Sequence, residues 1–155
     1  MSGTEGNSGT GEAGAERSGG SSGGSSGGSS AAGAGWRDYN SLALAWLGDA
    51  VFELWVREHL LARGEAVRSG DLHTRAVALV QAGSQAELLR RLEPLLTEEE
   101  VQVCRRGRNT SGRYPHSTDV ITYRQATALE ALIGYWHVTG QRARLEKMLE
   151  NIIWK

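Results

Sequence analysis

A chain of 155 residues with a formal net charge of −1 and one cysteine holds one folded domain, or one domain and a tail. It excludes an intrachain disulfide and a zinc site built on thiolates alone, and fits a reducing compartment. The near-neutral balance excludes a uniformly basic protein, so any nucleic-acid surface has to come from local clustering of arginine.

Composition changes at Trp36. Residues 1–35 are almost wholly Gly, Ser, Ala and Thr with a few Glu, and include the run SGGSSGGSSGGSS. Such a segment buries too little apolar surface to offset the entropy of ordering it, so a disordered Gly/Ser-rich tail is expected over 1–35 and a folded domain over 36–155. The tail's Glu5, Glu12, Glu16 and Arg17 give it a net charge of −2, leaving +1 for the rest. The start has no basic segment followed by an apolar one, and is too rich in Glu and poor in Arg for a transit peptide. No run of about 18 uncharged apolar residues occurs, so neither a membrane span nor a membrane partner is expected. A cytoplasmic setting is expected.

The body predicts helices throughout. Helix one starts at Asn40, a good N-cap, and runs to about Leu61 with Gly64 just past its end. Its apolar residues Leu44, Leu47, Val51 and Leu54 recur at helical spacing. A second helix follows Asp71, with Leu72, Ala76, Leu79 and Val80 as its buried side. A third covers about Ser84 to Leu92 and stops before Pro94. Thr97 with Glu100 has the form of a capping box and opens a fourth helix that ends in Arg105, Arg106 and Arg108, where cations suit the negative end of the helix dipole. After a polar loop, a fifth helix starts near Thr118 or Asp119 and runs to about Val138, closed by Gly140. A last helix spans about Gln141 to Ile153. The expected class is all-α, a helical bundle with short connections.

Three features carry chemistry. Asp49 stands in the apolar helix one, where burial is costly unless it is paired or bound to a cation, beside Gly48, which weakens the helix by about 1 kcal/mol relative to Ala. Glu130 stands in the apolar fifth helix among Ala126, Thr127, Ala131 and Gly134. Each alone also fits a half-exposed helix acid with a small neighbour that lets another helix pack closely. Together they offer two carboxylates that, on neighbouring helices, would repel unless a cation lies between. Two hard oxygen ligands with water suit Mg²⁺, and such a site suits phosphodiester hydrolysis. The third feature is the segment 105–124, with Arg105, Arg106, Arg108, Asn109, Arg113, His116 and Arg124. Its only acid is Asp119, which favours an anion-binding role over a solvated loop. The histidines His59, His73, His116 and His137 show no ligand spacing. Cys104 is expected in the core, and the five tryptophans as core or subunit-interface anchors.

Two stretches resemble the ribonuclease III family. Leu44-Ala45-Trp46-Leu47-Gly48-Asp49-Ala50 matches its signature Leu-Glu-Phe-Leu-Gly-Asp-Ala. Thr127-Ala128-Leu129-Glu130-Ala131-Leu132-Ile133-Gly134 matches its Asp-x-x-Glu-Ala-Leu-Ile-Gly. The run RRGRN at 105–109, followed by TDV and TYR, resembles the family's minimal branch, Mini-III. The likeness spans about 36–155. Ala45 and Thr127 stand where most members carry Glu and Asp.

The resemblance implies a dimeric, all-α endonuclease domain that cuts double-stranded RNA with Mg²⁺ and leaves 5′-phosphate ends. Asp49 and Glu130 are implied as its catalytic, metal-binding carboxylates, and Thr127 as a support for the metal or its water. It further implies a homodimer packed through helix one, a large-subunit (23S) ribosomal RNA precursor as substrate, and a ribosomal protein as a candidate partner. With the sequence ending at Lys155, RNA is expected to be gripped by Arg105, Arg106, Arg108, Asn109, Arg113, His116 and Arg124. The alternative is a non-catalytic, ribosome-associated RNA-binding module on the same fold, as two of the usual four carboxylates are replaced.

Overall fold

The computed structural model describes residues 35–64, 68–110 and 119–154. The expected tail over 1–35 and the middle of the polar loop lie almost wholly outside them. Six α-helices are described: α1 (Ser41–Arg63), α2 (Ser69–Val80), α3 (Ala82–Leu92), α4 (Glu98–Arg108), α5 (Val120–Val138) and α6 (Arg142–Ile153). Single 3₁₀ turns at Trp36–Asp38 and Glu93–Leu95 complete the order, and no strand occurs among the described residues. The all-α expectation holds.

The ends follow local chemistry. The Asn40 side chain accepts the Leu42 N–H, and Gly64 closes α1 in the left-handed region at φ 62°. Thr97 and Glu100 form the reciprocal capping box at α4, and Asp119 caps α5 by accepting the Thr122 N–H. α2 begins three residues and α3 two residues earlier than expected, and they abut at Gln81.

Helix α5 is the central element, flanked by α1, α3 and α4, with Ala128, Leu129, Leu132, Ile133 and Trp136 fully buried. The buried face of α1 takes in only part of the apolar series that recurs at helical spacing in the sequence. It consists of Leu44, Ala45, Gly48, Phe52, Trp55, Val56 and Leu60, whereas Leu54 is exposed and Leu47 and Val51 are only half-buried. Both stripes have helical spacing, and the choice fell to the face whose Gly48 lets α5 approach. Cys104 is buried as expected, its thiol pushed up to about 12 chiefly by burial. Trp36, Trp55 and Trp136 are buried, Trp154 is half-buried, and Trp46 stands 80% exposed.

Candidate active site

The site begins where α1 crosses α5. A Cβ added to Gly48 would overlap the backbone carbonyl of Glu130, and one added to Gly134 would overlap that of Leu44. Two glycines therefore set backbone-to-backbone contact, which no other residue allows. Asp49, next to Gly48, and Glu130, beneath it, are brought to the same crossing by this packing. The small residues around Glu130 are used for the same purpose. Ala126, Thr127, Ala131 and Gly134 are buried, and Gly107 of α4 packs so closely on α5 that a Cβ there would meet the Ala128 Cα at 2.9 Å. These small residues let the neighbouring helices approach α5 closely.

Both carboxyls are held above their ordinary range. Glu130 is pushed up to about 7, first by burial and then by the charge of Asp49. Asp49 is raised by burial and by Glu53. Opposing the rise at Glu130 is a hydrogen bond with the side-chain amide of Gln85, on α3. Gln85 is only 2% exposed, and its Oε1 has no protein partner among the described residues. The set is thus an exposed Asp49 and a half-buried Glu130 that repel one another, with an orphan amide oxygen, all hard oxygen donors. This chemistry fits a divalent cation of the Mg²⁺ type.

Thr127 lies one turn before Glu130 on α5. Its hydroxyl donates to the Tyr123 carbonyl at 3.1 Å, so toward any further group it acts only as an acceptor. Ala45 is buried at the α1–α5 contact.

The arginines divide. Arg105 is exposed at the end of α4, Asn109 is exposed as its C-cap, and Arg124 is exposed on α5. Arg106 instead donates to the Tyr39 carbonyl at 3.0 Å and lies over the Trp36 ring. Arg108 pairs with Glu93 at 2.9 Å and reaches Gln125. The expected shortage of acids is therefore corrected at Arg108, because Glu93 is remote in sequence but adjacent in space. Arg113 and His116 lie outside the described residues.

A second group was not foreseen. His59 of α1 has its Nε2 3.6 Å from both Glu146 and Glu150 of α6, while its Nδ1 lies 2.8 Å from the Trp55 carbonyl. Glu146 also accepts the Trp55 indole N–H at 2.6 Å. This cluster joins α1 to α6, about three turns along α1 from Asp49. The i, i+4 pair of glutamates was the signal available in the sequence. Gln85 had one too: it interrupts the apolar series Leu88, Leu89, Leu92 at helical spacing.

Residues 42–141 match the model of the ribonuclease III domain, and the chain belongs to that family, endoribonucleases of double-stranded RNA. Within the family it is 50% identical over 117 residues to a Mini-ribonuclease 3 of Desulfitobacterium hafniense, covering 76% of this chain and 74% of that one. It is also 50% identical over 110 residues to a Mini-ribonuclease 3 of Symbiobacterium thermophilum, covering 70% and 84%. A crystal structure of a Fusobacterium nucleatum protein superposes with a TM-score of 0.70 at 33% identity, over 77% of this chain and 97% of that one. The chain is thus an endoribonuclease of a metal-dependent family, and among the described residues no helix is long and apolar enough to cross a membrane.

Proposed function

We propose that residues 36–155 form a Mg²⁺-dependent catalytic domain that cuts double-stranded RNA at Asp49 and Glu130. The observation that carries this is the pairing at the α1–α5 crossing: a half-buried Glu130 raised to about 7 beside a like charge, held by an amide rather than by a protein cation. A bound divalent cation polarises the phosphoryl group and supplies a nucleophilic water at neutral pH. The two carboxylates would hold it, and the Thr127 hydroxyl oxygen offers one further acceptor nearby. Arg105 and Arg124, with Asn109 and with Arg113 and His116 from the loop, bind phosphates and 2′-hydroxyls across a minor groove. Arg106 and Arg108 fix the end of α4 that carries Arg105. In-line attack by water expels the 3′-oxygen and leaves a 5′-phosphate.

A homodimer packed on α1 places two such sites on one face, one for each strand. Leu42, Trp46 and Leu54 support it, since they are exposed along the same helix as Asp49. The substrate we assign is a cytoplasmic precursor of large-subunit (23S) ribosomal RNA, with a ribosomal protein as a candidate partner.

The test is cleavage of a long double-stranded RNA by wild type and Asp49→Asn, with Mg²⁺ and with chelator. Cutting that needs Mg²⁺ and falls by about a thousandfold or more in Asp49→Asn is expected, a loss of about 4 kcal/mol of transition-state stabilisation. Undiminished cutting by Asp49→Asn would remove Asp49 from the mechanism.

A further inference from the structure

We infer that Gln85 is a positioning residue of the cleavage site, joining Glu130 to the hydrated cation. The inference rests on the cation site proposed above at Asp49 and Glu130. It starts from an anomaly of burial. Among the described residues Gln85 is one of three polar or charged buried residues, with Glu100 and Thr127. The other two are hydrogen-bonded within the protein: Glu100 to Trp136 and Arg144, Thr127 to Tyr123. Gln85 has one end engaged and the other orphaned.

Which end is which follows from chemistry. An ionised carboxylate only accepts hydrogen bonds, so the end turned to ionised Glu130 is the NH₂, and the free end is the carbonyl oxygen. A buried acceptor without a partner costs about 1–3 kcal/mol, and a leucine or methionine in the apolar stripe of α3 would avoid it. The amide instead meets the Glu130 carboxylate from α3. Its NH₂ fixes the orientation of the Glu130 carboxylate. Its carbonyl oxygen is an acceptor for water, and Mg²⁺ keeps several waters when bound to proteins. Partners of ligating carboxylates alter metal affinity or activity by about 10–100-fold when removed.

The experiment titrates Mn²⁺ into metal-free protein without RNA, following free Mn²⁺ by electron paramagnetic resonance. Wild type is compared with Gln85→Met, which keeps an unbranched side chain of similar shape, with Gln85→Glu, which keeps an oxygen acceptor but loses the donor, and with Asp49→Asn. Thermal melting of the metal-free variants is recorded alongside. Gln85→Met is expected to melt no lower than wild type, because it removes the orphan acceptor, and to bind Mn²⁺ about 10–100-fold more weakly. Its kcat should fall and recover in part at raised Mg²⁺, with KM for RNA unchanged. Gln85→Glu should bind Mn²⁺ more tightly than Gln85→Met. Wild-type Mn²⁺ affinity and kcat in Gln85→Met would overturn the inference, and so would a metal-free melting temperature lowered in both variants with Mn²⁺ affinity unchanged in either. If Asp49→Asn binds Mn²⁺ like wild type, it is the underlying cation site that fails. If Asp49→Asn loses Mn²⁺ while Gln85→Met keeps it, the role of Gln85 alone fails.

Discussion

Two glutamates, one buried and one half-buried, pack against the interior of this protein, and their surroundings could hardly differ more. Glu100, at the start of α4, is 2% exposed. Burial pushes its pKa up, yet hydrogen bonds from Arg144, the Thr97 N–H and the Trp136 indole outweigh burial and hold it below the ordinary carboxylate range. Arg144 meets it through two nitrogens, at 2.9 and 2.8 Å. Glu130, at the α1–α5 crossing, has an amide where Glu100 has a guanidinium, and a neighbouring acid where Glu100 has an indole N–H. One carboxylate is completed by the fold, and the other is left for something the fold does not supply. This difference separates a structural acid from a candidate catalytic one, although both read as Glu in a helix.

The largest disturbance is expected from Gly48→Ala. The added Cβ cannot coexist with the Glu130 carbonyl, so α1 and α5 must separate, at a cost above about 3 kcal/mol in spite of the better helix propensity of Ala. A fall in the urea midpoint, with cleavage lost even in the fraction that stays folded, checks this. Glu100→Gln comes next. It unbalances a largely buried ion pair and should cost about 3 kcal/mol of stability in chemical denaturation while leaving Mg²⁺ dependence of cleavage intact.

The pH dependence of stability sharpens the same contrast. In metal-free protein Glu130 titrates near 7, against an ordinary value of 4.5. The unfolded chain gives up this proton first, so the stability due to neutral Glu130 is complete below the ordinary value and lost as pH rises through about 7. The full loss is at most about 3 kcal/mol, and urea titrations at about pH 5 and about pH 8 should differ by about 2 kcal/mol from this group. Saturating Mg²⁺ should reduce the difference. The smallest effect concerns RNA contacts. Arg105→Ala should lower the slope of log affinity against log salt by about 1, whereas Arg108→Ala should change it less, because Glu93 already neutralises that charge.

Much of this was legible in the sequence. Helix ends were written in local chemistry, as Asn40, Gly64, Thr97 with Glu100, and Asp119 each act within a few residues of themselves. Gly48-Asp49 and Glu130 stood out because each is unfavourable in its own helix. Partners supplied from a distance were not legible. The pairing of Arg108 with Glu93, the hold of Arg106 on the Tyr39 carbonyl, and Arg144 on Glu100 depend on which helices lie side by side. The inward face of α1 was not legible for a related reason: apolar spacing marks two faces of that helix, and only the glycine contact with α5 decides between them.

The most direct test of the contrast is Glu130→Gln, measured for both stability and function. A neutral side chain of the same shape removes a charge that the metal-free fold disfavours. The expected result is a metal-free protein more stable than wild type by about 2 kcal/mol at about pH 8, no stabilisation by Mg²⁺, and no RNA cleavage. A protein destabilised as much as Glu100→Gln, still stabilised by Mg²⁺ and still cutting, would contradict the account: Glu130 would then be a structural acid like Glu100.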